Sequence, residues 1–320
     1  MPPYTYTGPL NCTTPLNTSS LHGKTAIVTG SASGLGEAYV RALASAGCNV
    51  CIADLNAQKG SALATELSSA HPDIKAKFVQ CNVTSWDDQV RVFHEAAALS
   101  SSGKIHYVVA NAGMIKPDTV FGNPDSAAKP EATKPDLQTL NVNITGAMYT
   151  ITLAQHTFIR QNGTTPSPTQ DDTCLILIGS GASYLDGPRN PLYAASKWAM
   201  RATLHSLRRT AHYHGSRVNM ISPYYVKTSI MSEETFQHVK SCGVEFATLE
   251  DAQHALLRLL SDESVNGKNL FIGGRRWAPE SGYWDLDLDD FHTDLLNEIQ
   301  IDQMKSSPVE DGLFSENADG

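Results

Sequence analysis

The sequence predicts an α/β protein built on a doubly wound, seven-stranded parallel sheet with helices on both faces. Three observations carry this. Between Thr25 and Gly274, short runs rich in apolar and β-branched residues alternate with longer segments of helical spacing. The short runs are nearly continuous in apolar residues, as strands covered on both faces must be. A glycine-rich turn follows the first run directly and opens the first helical segment.

In chain order the strands are expected at TAIVTG (25–30), NVCIAD (49–54), AKFVQCNV (76–83), IHYVVANAG (105–113), CLILIGS (174–180), RVNMISP (217–223) and NLFIGG (269–274). Helical spacing covers roughly 35–46, 57–69, 86–100, 136–161, 192–213 and 249–261. No boundary interrupts the alternation, so residues 23–275 read as one domain. Residues 1–22, rich in Pro, Thr and Asn, read as an arm or a disordered lead-in. Residues 224–248 form a long insertion of the kind that acts as a lid or a flexible segment. Residues 276–320 form an acidic extension mixing aromatics with acids, its polar end SSPVEDGLFSENADG expected to be disordered.

The formal charge is −9 over 320 residues, but residues 280–320 hold twelve Asp/Glu and one Lys, a local balance of −11 that leaves +2 elsewhere. A near-neutral body with no basic stripe excludes a nucleic-acid partner. No apolar run approaches the length of roughly 20 residues that spans a bilayer. The first residues carry neither a basic flank nor an apolar stretch, so they do not read as a signal peptide. The expectation is a soluble, cytoplasmic protein. The six cysteines are scattered, and although Cys48 and Cys51 have redox-motif spacing, they lie inside an apolar run and no second pair follows at metal spacing. No metal site is expected.

In TGSASGLGEA, glycines at 30, 34 and 36 allow the chain to turn sharply and approach a pyrophosphate, while the helix that begins there offers free N–H groups and the positive end of its dipole. The second strand ends in Asp54, eighteen residues beyond Gly36. A carboxylate there accepts hydrogen bonds from ribose hydroxyls and repels a 2′-phosphate. No arginine adjoins Asp54, and Ser33 stands where a basic residue could meet a phosphate, which favours NAD over NADP.

YAASK at 193–197 places Tyr193 and Lys197 one helical turn apart. A phenol with a pKa of roughly 10 is a poor base at neutral pH unless a cation favours its ionised form. The pair therefore reads either as helix decoration or as a tuned base.

The glycine turn, NAG (111–113), NVNITG (141–146), IGS (178–180) and YAASK occur in the order and spacing of the short-chain dehydrogenase/reductase family, and the resemblance covers about residues 21–275. It implies a Rossmann-type sheet and a catalytic tetrad of Asn143, Ser180, Tyr193 and Lys197. It implies cofactor contacts from Gly30, Ser33, Gly34, Leu35 and Gly36, from Asp54 and Leu55, and from Asn82 and Val83. Further contacts are implied for Asn111, Ala112, Gly113, Tyr193, Lys197, Pro223, Val226 and Thr228. The implied chemistry is oxidation of a secondary alcohol by NAD, with Tyr193 as base, Lys197 lowering the phenol pKa, Ser180 holding the substrate oxygen and Asn143 positioning a proton-relaying water.

Two positions depart from the family pattern. Asn82 replaces a common aspartate, and Tyr224 follows Pro223 where glycine is usual, narrowing or lining the substrate pocket. With Ser180, Tyr184, Tyr193 and Tyr225 as the other substrate-contacting candidates, the lining suits a small hydrophobic molecule rather than a sugar phosphate. SPYYVKT and the RRWAPESGYWDLD segment resemble a fungal secondary-metabolism branch of that family, implying an aromatic polyketide or terpenoid-like substrate. The segments RRWAPESGYW (275–284) and DLDLDDFHTDLL (285–296) read either as folding back over the site or across a subunit interface, or as aromatics that anchor the tail. The family also implies a homodimer or homotetramer. Two alternatives stay open: ketone reduction by the same residues, and a catalytically silent dinucleotide sensor or scaffold.

Overall fold

The computed structural model describes residues 4–118, 120, 131–188, 190–228, 230–286 and 298–299. The polar C-terminal end expected to be disordered lies outside the described residues, as do the first three residues of the arm. Eight strands make one sheet: β1 Thr25–Thr29, β2 Asn49–Asp54, β3 Ala76–Gln80, β4 Tyr107–Ala110, β5 Thr173–Ile178, β6 Ser216–Pro223, β7 Asn269–Ile272 and β8 Tyr283–Asp285. Their order is β3-β2-β1-β4-β5-β6-β7-β8. The first seven are parallel, and β8 pairs antiparallel with β7 through Leu270 opposite Asp285 and Ile272 opposite Tyr283. The expectation of seven strands is thus corrected to eight. Three residues, YWD, bounded by Gly282 and an acidic run, are too short a signal to read as a strand.

The helices are α1 Gly34–Ser45, α2 Ala57–Ala70, α3 Trp86–Leu99, α4 Gln138–Leu140, α5 Ala147–Asn162, α6 Pro191–Leu207, α7 Glu233–Ser241 and α8 Leu249–Ser261. Alternate strand residues feed two cores. Val28, Val50, Ile52 and Val109 pack with Leu43 of α1, Leu63 of α2 and Leu256 of α8. Ile27, Cys51, Ala53 and Val108 pack on the other face with Phe93 of α3, Phe158 of α5 and Leu204 of α6. Period-two alternation sends neighbours to opposite faces, so burial on both faces demands the near-continuous apolar runs seen in the sequence.

The segment expected as one helix over 136–161 is broken by a π-helical turn at Asn141–Gly146 between α4 and α5. Helix α7 lies within the 224–248 insertion; it is polar, buries only Val239 and so leaves little apolar periodicity to read. The arm packs on the body. Tyr4 lies against the guanidinium groups of Arg208 and Arg209, and Leu10 N donates to Asp285 Oδ2 at 2.8 Å. Asp285 also pairs with buried Lys268 of the segment entering β7, at 3.3 Å, so arm, β7 and β8 meet at one ion pair. No helix among the described residues is long and apolar enough to cross a membrane.

Candidate active site

The parallel strands present their carboxyl ends along one edge, where a crevice opens between β1 and β4 because the strand order reverses there. The glycine turn lines one side of it. Gly30 and Gly34 take φ of 63° and 59°, a region that suits glycine. Gly36 admits no side chain, since a Cβ would lie 2.2 Å from the Gly30 carbonyl oxygen and 2.6 Å from Asn111 Nδ2. Ser33 is the N-cap residue of α1 but makes no side-chain cap to it, and Leu35 packs against the core, so the helix start keeps backbone donors for a ligand.

Asn111 ties β4 to this turn, donating to Thr29 O at 2.8 Å and Gly30 O at 3.0 Å. Thr29 Oγ1 accepts from the N–H groups of Asn111 and Ala112, each at 3.1 Å. Asp54 Oδ2 accepts from Ala32 N at 2.9 Å and Oδ1 from Asn56 N at 2.8 Å, which fixes the carboxylate beside the turn. Leu55 stands next to it and is exposed. Asn82 forms a local turn, its Oδ1 accepting from Thr84, while Val83 is buried against Gly146. On the far side Val226 bridges Ala247, and Thr228 Cβ lies where a Cβ on Gly34 would come within 3.2 Å. Pro223 ends β6, and the next residue's N–H donates to Ile272 O.

The four residues of the implied tetrad come from three places in the fold. Ser180 follows β5 and caps a short 3-10 turn, its Oγ accepting from Ala182 N at 3.2 Å. Tyr193 and Lys197 lie in the first turns of α6, and Asn143 sits in the π-helical turn, a distortion frequent at functional sites. Burial raises the Tyr193 phenol above its ordinary pKa, and the Ser180 hydroxyl, which favours the ionised form, opposes this more weakly. Lys197 is buried, and burial pushes its ammonium down to about 8.

Lys197 Nζ lies 5.6 Å from the Tyr193 ring centre and donates to Ile178 O at 3.0 Å. The expected lowering of the phenol by Lys197 is therefore not the leading influence on it. Desolvation is, because a phenolate in dry surroundings loses its hydration. Nζ also lies near Gly113, where a Cβ would stand 3.7 Å away.

Asn143 braces the site. Its Oδ1 accepts from Met114 N at 2.8 Å, and its Nδ2 donates to Met114 O at 2.9 Å and to Ser196 Oγ at 3.1 Å. Ser196 Oγ in turn donates to Tyr193 O at 2.7 Å. The chain after β4 is thereby stitched to the helix bearing the tyrosine. Asp118, which the sequence reading passed over, adds a second stitch: its Oδ2 accepts from Leu192 N at 2.8 Å, capping α6, whose own Asn190 makes no side-chain cap. An aspartate seventy-four residues upstream leaves no local capping signal to read.

Of the candidate substrate residues, Tyr224 stands beside the serine. A Cβ on Gly181 would lie 2.9 Å from Tyr224 Cδ2. Tyr225 packs edge-on against Tyr224, ring centres 4.5 Å apart. Tyr184 is engaged elsewhere: Asn269 Nδ2 donates to its hydroxyl, and the Arg201 guanidinium covers its ring at 4.4 Å.

The chain was compared with known proteins. The model of the family described as short chain dehydrogenase matches residues 24–238. This chain belongs to that family. It is therefore an oxidoreductase of a family that binds a nicotinamide dinucleotide. It is 30% identical over 271 residues to the 5′-hydroxyaverantin dehydrogenase of Dothistroma septosporum, spanning 81% of this chain and 87% of that one. It is 30% identical over 301 residues to the 5′-hydroxyaverantin dehydrogenase of Emericella nidulans, spanning 88% and 92%. An NADP-dependent dehydrogenase of a Phoma species is 29% identical over 83% of this chain and 79% of its own. These relatives support membership in the fungal secondary-metabolism branch. Among solved structures, a short-chain dehydrogenase/reductase from Mycobacterium marinum shares the fold with a TM-score of 0.66 at 21% identity, covering 81% of this chain and 97% of that one.

Proposed function

We propose that the chain is an NAD-dependent dehydrogenase that oxidises a secondary alcohol to a ketone on a hydrophobic, aromatic natural-product substrate. The observation that carries this is Tyr193 with buried Lys197 one helical turn on, its Nζ 5.6 Å from the ring centre, in a chain whose glycine turn has no room for side chains. NAD, once bound, accepts the hydride and supplies a positive charge. Ser180 holds the substrate oxygen, and Tyr193 takes its proton as the carbonyl forms. Lys197, cationic below about pH 8, favours the phenolate against the burial that opposes it. Asn143, braced on Met114 and Ser196, orients the outlet for that proton.

Residues 30–36 and 111–113 would cradle the pyrophosphate and the nicotinamide side, with Asp54 at the adenosine ribose, Asn82 and Val83 near the adenine, and Val226 and Thr228 closing over the nicotinamide. The preference for NAD rests on Asp54, held by Ala32 N and Asn56 N where a 2′-phosphate would need a cation. The NADP-dependent relative favours NADP as a second reading of the cofactor, and the same residues in reverse would then reduce a ketone.

We read the working form as a cytoplasmic homodimer or homotetramer. Half-exposed Trp198 on α6, and Trp86 of α3 edge-on to Tyr149 of α5 at 5.3 Å, support this reading by offering aromatic surface. Calorimetric titration of NAD and NADP into wild type and Asp54→Ala tests the cofactor assignment. NAD is expected to bind wild type at least about tenfold more tightly, with the preference erased in the variant. A wild-type preference for NADP would overturn it.

A further inference from the structure

The C-terminal extension places an aromatic side chain where neither the glycine turn nor the tetrad reaches. Residues 274–282 form a loop pinned to the start of α8. Glu245 accepts from Arg275 N at 2.9 Å and from Arg276 N at 3.1 Å, and the Arg275 guanidinium pairs with buried Asp251 at 2.6 Å. Asp251 completes the capping box of α8 with Thr248. Gly274 and Gly282 leave no room for side chains, since a Cβ would lie 2.7 Å from Glu245 Oε2 and 2.2 Å from Asp251 Cγ. The loop is held in place.

On it stands Trp277, edge-on to Tyr224 at 6.0 Å and packed against Trp284 at 6.1 Å, yet 48% exposed. Tyr224 is the ring that adjoins Gly181, immediately after Ser180. The aromatic surface thus runs from the reacting serine outward through Tyr224 to the half-open indole. The Arg276 guanidinium lies 4.1 Å from the Trp277 ring centre, a cation–π contact that sets a hydrogen-bond donor beside the indole. Exposing half an indole on a fixed loop forgoes burial of a large apolar side chain, and a flat ligand would recover it.

We propose that Trp277, with Tyr224 behind it and Arg276 beside it, is the specificity-determining subsite for the body of the substrate, and that it takes a planar, oxygen-substituted polycyclic aromatic. The oxygen substituent meets the guanidinium and the ring plane meets the indole. The proposal rests on the alcohol-oxidation reading of the site and adds to it what the enzyme selects at a distance from the reacting carbon.

The test compares the secondary alcohol 1-(2-naphthyl)ethanol, here naphthylethanol, with its decahydro analogue, which has the same carbon skeleton and no π system. The full chain is used with NAD, as wild type, Trp277→Ala and Trp277→Phe. In wild type the ratio of kcat/KM favours the aromatic alcohol. In Trp277→Ala that ratio falls about tenfold, through KM rather than kcat, and Trp277→Phe restores most of it. Equilibrium binding of naphthylethanol to the NAD-loaded protein weakens in parallel in Trp277→Ala, a readout that does not need turnover. Unchanged NAD affinity and melting temperature in the variants show that the fold is intact. A ratio and an affinity that do not move with Trp277 overturn the subsite. Absence of turnover of either alcohol by wild type, with aromatic binding still dependent on Trp277, overturns the alcohol-oxidation reading and leaves the subsite standing.

Discussion

The proposed cofactor side of the sheet, β1 to β4, and the proposed substrate side, β6 to β8, are built by different means. On the first, backbone does the shaping. Glycines occupy positions where a Cβ would strike main chain, and Thr29, Asp54 and Asn111 spend their side chains on fixing nearby turns. On the second, side chains do it. Tyr224, Phe271, Trp277 and Trp284 come from three segments and meet as one aromatic surface, and the segment carrying the last two is locked by Glu245 and Asp251. The contrast suggests that the cofactor half tolerates almost no change in shape, whereas the substrate half can be re-lined residue by residue.

The sharpest way to break this comparison is Gly36→Val. Its side chain must displace the Gly30 carbonyl or the Asn111 amide, so NAD affinity should fall about a hundredfold or more while circular dichroism reports a folded chain. Normal NAD binding by that variant would mean that backbone shape does not govern the cofactor half.

A smaller effect is expected from Asp118→Ala, which removes the cap joining the chain after β4 to α6. Loss of a typical cap costs about 1 kcal/mol, so kcat should drop about fivefold as Tyr193 loses its fixed position, with NAD affinity unchanged. Asp118→Asn, which can still cap, should recover most of the rate. Equal losses in both variants would assign the effect to charge instead of position.

The smallest effect concerns pH. His106, just before β4, is buried; its Nδ1 accepts from Thr25 N at 3.1 Å, and desolvation pushes the imidazole down to about 4. The unfolded chain titrates this group near 6.5, so between about 4 and 6.5 it binds more protons than the folded chain. Stability therefore rises with pH across that window and is lost on acidification. Urea unfolding at pH 7 and pH 5 should show a steeper loss in wild type than in His106→Gln, and parallel losses would remove His106 from the account.

What the sequence made legible follows the same divide. Gly30, Gly34 and Gly36 announce themselves because a tight turn between strand and helix has few chemical solutions, and the seven parallel strands show as apolar runs because both faces are covered. Tyr193 and Lys197 are legible as a pair one helical turn apart, whereas Ser180 is legible only through the family resemblance. Tyr184 is different. It falls in the right loop, but its hydroxyl is held by Asn269, a long-range contact that no local pattern encodes. Asp118, Trp277 and strand β8 were illegible for the same reason: each gains its role from a partner far along the chain. The π-helical turn at Asn143 was hidden because NVNITG reads as part of one continuous helix.

We propose that Tyr193, set by Ser180 and Lys197, moves the proton in an NAD-dependent oxidation. The most direct measurement is the appearance of NADH absorbance when NAD and naphthylethanol are mixed with wild type and with Tyr193→Phe. Wild type should turn over, and the variant, still binding NAD, should lose about 10²- to 10⁴-fold in rate. Equal turnover by both proteins would contradict it.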